Sequence, residues 1–210
     1  MKTTKEKILE TSLNLFNEKG CINTSTRHIA SALNISVGNL YYYFKNKEVI
    51  LIEIFLQYIE NIFSQIEKQN FQKDEIFLLK DFLINCLEAD TKYRFLHQEL
   101  NLLMITFPKF KEVMQIELKK EIELISKLVQ HQIKFGYIKN MSEDKILFFV
   151  SNSWIIATNS YSFWDLLDKD KSDNGKKGTA NLYYFIKPYL TQKSLDDEQI
   201  KEIEIVLGSK

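Results

Sequence analysis

Residues 26–48 read Thr26-Arg27-His28-Ile29-Ala30-Ser31-Ala32-Leu33-Asn34-Ile35-Ser36-Val37-Gly38-Asn39-Leu40-Tyr41-Tyr42-Tyr43-Phe44-Lys45-Asn46-Lys47-Glu48. Two short helical patterns lie here on either side of a turn. Ala30 is the small residue that two helices need at their closest approach, and Ile29, Leu33, Ile35, Leu40 and Tyr43 fall at the offsets of a small shared core. Asn34 stands where the chain reverses, and asparagine enters the left-handed region more readily than most side chains. Ser36 is placed to cap a helix from Val37 to Phe44, and Asn46 to cap another that begins at Lys47. No proline interrupts either helix. This spacing predicts a helix-turn-helix, in which the second helix enters the major groove of DNA.

The pattern stays helical in both directions. Upstream, Thr3 or Thr4 can cap a first helix that carries Ile8, Ser12, Leu15 and Phe16 on one face, with Leu9 and Leu13 beside it, and Gly20 stops it. The second helix starts after Thr24 or Ser25. Downstream, the helix from Lys47 runs through Phe55 toward Lys68. Further helices are expected at 74–89, 92–106, 110–135, 143–168, 179–191 and 195–207. Pro108 separates two of them and Gly136 ends the longest. Lys169 to Gly178, charged and glycine-containing, reads as a mobile surface loop, and Ser194-Leu195-Asp196-Asp197 as a capping start for the last helix. No strand-like alternation or internal repeat is visible, so the fold class is all-α.

The segment Thr26–Ala30, Leu33–Glu48, and above all Leu40-Tyr41-Tyr42-Tyr43-Phe44 followed by Lys45-Asn46-Lys47-Glu48, resembles the tetracycline-repressor (TetR) family of bacterial transcriptional regulators. Tyr93-Arg94-Phe95 and Pro188-Tyr189-Leu190-Thr191 resemble one branch of it. The resemblance implies an N-terminal three-helix DNA-binding domain (1–47, motif 26–45) and a helical ligand-binding and dimerisation domain (48–210). It implies phosphate contacts from Thr26, Arg27 and Lys47, with Tyr41, Tyr42 and Tyr43 as phosphate clamps or core. Val37, Gly38 and Asn39 would open the helix in the groove, Asn39 reading a base edge as Asn does with adenine. A His is frequent in the family where this chain has Tyr43. The three tyrosines diverge by ~100° per residue around a helix, so one buried stripe cannot hold them all.

The resemblance also implies a homodimer on a palindromic operator, joined through helices 143–168 and 179–191, and a small apolar or amphipathic ligand in the body. The candidate pocket residues are Phe82, Cys86, Phe95, Leu103, Met104, Phe107, Met114, His131, Phe135, Trp154 and Tyr161, although Met and aromatic residues at helical spacing are more often plain core.

Charge is distributed in keeping with a DNA-binding head. Residues 1–47 hold seven Lys/Arg and three Asp/Glu, a net of +4, and the other residues hold 21 and 25, a net of −4, so the chain sums to zero. Ile146–Trp164 carries no charge, but its Ser, Asn and Thr residues suit a helix buried on two sides better than a membrane span. The N-terminus lacks the apolar core of a signal peptide, so a cytoplasmic protein is expected. Two distant cysteines make neither a disulfide framework nor a zinc site. His97, Glu99 and His131 do not have metal-ligand spacing. No phosphate loop or nucleophile motif points to an enzyme, and no cofactor is implied. The alternative function is a helical protein-interaction adaptor without specific DNA binding.

Overall fold

The computed structural model describes residues 2–167 and 173–207. Its helices are α1 (Thr4–Lys19), α2 (Thr26–Ala32), α3 (Val37–Tyr43), α4 (Lys47–Glu67), α5 (Leu79–Lys92), α6 (Arg94–Thr106), α7 (Pro108–Lys134), α8 (Glu143–Leu167), α9 (Asn174–Ile186), α10 (Gln192–Leu195) and α11 (Glu198–Val206), with a 3₁₀ turn at Lys187–Tyr189. Among the described residues the only strand-like pairing is an isolated bridge between Ile138 and Leu190.

Local chemistry explains the helix ends. Thr3 and Glu6 form a reciprocal capping box at the start of α1, Ser25 does the same with His28 at α2, and Ser36 accepts from Asn39 N–H at α3. Asn46 accepts from Val49 N–H at 3.0 Å. Asn34 takes φ 54° between α2 and α3.

The chain packs as two compact units, Met1–Glu60 with Tyr93–Glu117, and Asn61–Lys92 with Leu118–Lys210. The division falls inside α4 and inside α7. Packing therefore groups the N-terminal helices with α6 and the start of α7, whereas the sequence suggested a boundary after residue 47.

In the first unit, Ile8, Phe16, Ile29, Leu40, Phe44, Ile50, Leu51 and Ile54 are fully buried. Phe95 of α6 meets Phe16 of α1 edge-on, with ring centroids 5.2 Å apart. Burial explains why α4 is long and apolar enough to cross a membrane by length and composition alone: its Ile50, Leu51, Ile54 and Phe55 belong to this core.

In the second unit, Val129, Ile146, Phe149 and Val150 form a core, with Phe185 and Tyr189 packed against it. The expected loop at Lys169–Gly178 is corrected in its described part, because Asn174–Gly178 already belong to α9 and the remainder, 169–172, lies outside the described residues. The glycines there serve close approach. A Cβ on Gly175 would lie 2.9 Å from Leu87 of α5, and one on Gly178 3.4 Å from Ser160 of α8. The last helix is capped by Asp197, and Ser194 instead sits buried in α10, donating to Tyr137 O at 2.6 Å.

Candidate nucleic-acid interface

Leu40 alone anchors α3, being its one buried residue, and beneath it lie Ile29 and Ala30 of α2. Leu33 and Ile35 are half-buried. Tyr43 does not join this core as the spacing suggested. It is 37% exposed and packs edge-on against Tyr42, with centroids 5.0 Å apart, and fully buried Phe44 fills the position instead. Phe44 follows the last residue of α3 in extended conformation, φ −136° and ψ 114°.

The outer face of α3 presents Gly38, Asn39, Tyr41 and Tyr42, all exposed, with Val37 half-buried at its start. Tyr42 is 83% exposed. A Cβ on Gly38 would meet nothing nearer than Ser36 Oγ at 3.9 Å, so no neighbour within the chain requires glycine there. Thr26 Oγ1 and Tyr41 OH share a hydrogen bond of 3.1 Å, which ties the first turn of α2 to α3. Arg27 extends from the same turn of α2 into solvent.

The positive charge of this head is partly spent internally. Lys2 pairs with Glu10 at 2.7 Å and Lys5 with Glu53 at 2.8 Å. The Lys47 ammonium, expected at a phosphate, turns inward: it donates to Cys21 O at 2.6 Å and Ile22 O at 3.1 Å and lies 5.3 Å from the centroid of the Phe107 ring. The start of α4 places its stem beside the α1–α2 turn, whose carbonyls outcompete solvent for the charge. Lys7, Lys19, Arg27 and Lys45 are all exposed, and Arg27 and Lys45 are the two within the helix-turn-helix segment; Lys45 was not among the expected DNA contacts.

The candidate pocket residues divide between the units. Phe95, Leu103, Met104, Phe107 and Met114 belong to the first, and Phe82, Cys86, His131, Phe135, Trp154 and Tyr161 to the second. Phe95 and Leu103 are fully buried core residues, and Phe107 lies under Lys47. His131 is held by Lys73 O at 2.8 Å and Gln132 Nε2 at 2.9 Å, between the rings of Phe71 and Phe135. Phe82 packs on Phe77, and Cys86, Tyr161 and Met114 are buried, while Trp154 and Met104 are half-buried. In the second unit a cavity of about 10 Å³ lies between α5 and α11, lined by Leu83, Leu87 and Ile203 among others, and none of the eleven candidates lines it. Its volume is that of a single water. Among the described residues no three metal-type side chains gather, and Glu99 is engaged with backbone N–H groups of the α1–α2 turn.

Comparison with known proteins matches this architecture. A family model described as bacterial regulatory proteins of the tetR family matches residues 8–54, and one described as a bacterial transcriptional repressor matches residues 55–197. The chain belongs to the TetR family, whose members here are transcriptional regulators and not enzymes. A probable transcriptional regulator of Bacillus subtilis, YttP, is 30% identical over 135 residues, which are 61% of this chain and 64% of that protein, just under two thirds of its length. The biofilm-operon negative regulator IcaR of Staphylococcus aureus is 24% identical over 188 residues, covering 87% of this chain and 99% of that one. The crystal structure of a TetR-family regulator from Marinobacter aquaeolei is similar with a TM-score of 0.80 at 28% identity, covering 99% of this chain and 98% of that one.

Proposed function

We propose that the chain is a DNA-binding repressor of transcription, acting as a homodimer on a palindromic operator and responsive to a small apolar or amphipathic ligand. The observation that carries this is the outer face of α3. It is fixed from below by Leu40, and Gly38 is free of any internal demand for glycine. Missing bulk at that position suits close approach of a nucleic-acid backbone. Asn39 reads a base edge, Val37 meets a thymine methyl, and Thr26, Arg27, Tyr41, Tyr42 and Tyr43 hold phosphates. Lys47 holds the α1–α2 turn rather than a phosphate, and Lys45 takes its place at the DNA.

Homodimerisation is supported by α8. Phe148, Asn152, Ile155, Asn159, Phe163 and Leu166 are all exposed along one uncharged stripe at helical spacing, and Tyr184 of α9 is exposed as well. Two copies place two reading helices about one DNA turn, ~34 Å, apart. Repression is the role named for the Staphylococcus relative. The ligand shifts the population between body conformations whose reading heads are correctly or wrongly spaced.

The test is fluorescence anisotropy with DNA from upstream of the chain's own gene and with scrambled DNA, at two salt concentrations. The native fragment should be preferred at both. Asn39→Ala should relax sequence preference, and Arg27→Ala should weaken all sequences alike and lower the salt slope by about 1. If the two substitutions weaken binding in the same sequence-blind way, the assigned roles are wrong. Salt-labile binding to both fragments alike favours the adaptor.

A further inference from the structure

Glu99 of α6 grips the turn that leads into the reading helices. Its Oε2 accepts from Cys21 N–H at 2.7 Å and from Ile22 N–H at 3.4 Å. From the other edge of the same two residues, Lys47 takes both carbonyls. The turn is thus held by a carboxylate on its donors and an ammonium on its acceptors, both supplied by helices outside α1–α3. Gly20 admits the carboxylate: its φ is +81°, and a Cβ there would lie 2.4 Å from Glu99 Oε1. A second tie lies one turn back, where Asn17 Oδ1 accepts from Phe95 N–H and Asn17 O accepts from Arg94 Nη2, both at 3.2 Å.

We propose that Glu99 is a positioning residue for DNA recognition, which through the Gly20–Ile22 turn fixes the angle that α2 and α3 take from α6. This rests on the DNA-reading role of α3 and on the dimer proposed above. The turn is the one connection between α1 and the helix-turn-helix, so rotation there would swing both helices together. Clamping its peptide groups from α6 makes the reading pair move with α6.

The experiment uses the full chain as wild type, Glu99→Gln and Glu99→Ala. The probe is a duplex selected by the wild type from a random-sequence library, with versions carrying one base pair inserted or removed at the centre. One base pair changes half-site separation by ~3.4 Å and rotation by ~35°. Wild type should bind the altered duplexes about tenfold or more weakly. In Glu99→Ala that ratio should fall to about threefold, because freed heads adapt to wrong spacing. Glu99→Gln retains an acceptor oxygen but loses the charge, so its ratio should fall partway, between the wild-type and Ala values. A uniform loss on all three duplexes with the ratio unchanged, or no change at all, overturns the proposal, since a merely structural role lowers the active fraction equally for every probe. If Glu99→Ala does not fold by circular dichroism, Glu99→Gln decides: an unchanged ratio overturns the proposal and a partial drop supports it. A wild type that selects no sequence refutes the DNA-reading role itself.

Discussion

Replacing Glu48 with Ala should destabilise the protein by about 2 kcal/mol, because Glu48 caps a helix that has no cap of its own. Phe107 ends α6, donating its N–H to Leu103 O at 2.9 Å, and occupies the position just before Pro108, the first residue of α7. A phenyl ring cannot accept a hydrogen bond from the first turn. Proline suits the first helical position because it brings no N–H. The next two N–H groups, of Lys109 and Phe110, both reach Glu48 Oε1, at 2.8 and 3.2 Å. Losing a side-chain cap costs about 0.5–2 kcal/mol. Losing a negative charge at a helix N-terminus costs a further ~0.3–1 kcal/mol, toward the low end here because Glu48 is only half-buried. With a urea slope of about 2 kcal/mol/M, the midpoint falls by about 1 M at fixed protein concentration, with the slope unchanged. Glu48→Gln keeps an oxygen and loses the charge, so it should move the midpoint by less than half as much. If Glu48→Ala shifts the midpoint by under about 0.25 M, or if Gln and Ala behave alike, the capping account is wrong.

Three further outcomes are expected. Leu40→Ala removes the one buried side chain of α3 and should cost about 2–5 kcal/mol in denaturant titrations, with DNA affinity falling as the third helix loosens; a loss under ~1 kcal/mol would contradict its anchoring role. Gly20→Ala meets both a positive φ and the Glu99 carboxylate, so it should destabilise by at least about 1–2 kcal/mol, and neutrality in a thermal melt would be inconsistent with the clamp. Burial pushes the Cys21 thiol up to about 12, against a smaller opposing pull from Lys47. An acid raised in the folded state stabilises fully below its unfolded value and less as pH climbs toward the folded one, so urea midpoints should decline between about pH 9 and 12. Cys21→Ala should decline less steeply over that range, and an equal decline would remove Cys21 as the cause.

Features set by neighbouring residues were legible in the sequence, and features set by distant ones were not. Ser36, Asn46 and Asn34 each act on backbone within four residues, and each was placed correctly from residue type and spacing, while the cap of α1 was narrowed to Thr3 or Thr4 and proves to be Thr3. Gly175 and Gly178 misled, since glycine beside charged residues signals a loop unless the facing helix is known. Lys47 shows the same dependence on distant residues: the resemblance implied a phosphate contact for it, and here carbonyls 25 and 26 residues upstream take its ammonium. The roles of Asn17, Glu48 and Glu99 as ties between distant segments could not be read from the sequence, because their partners lie 61 to 78 residues away. The pocket candidates were chosen for aromatic or Met character, which core and cavity share, so chemistry alone could not separate the two.

The trans caps have a consequence during synthesis. The unit that holds the reading helices is interrupted, closing only when Tyr93–Glu117 joins Met1–Glu60. At about 5–20 residues per second, the ribosome needs roughly 3–11 s to advance the 57 residues from Glu60 to Glu117. Until α6 has been made and joins them, the nascent helices lack Phe95 against Phe16 and Glu99 against the turn at Cys21. The first segment made waits for a later one before its packing is complete, and a chain cut short before α6 carries a DNA-reading sequence without Phe95 and Glu99 to brace it.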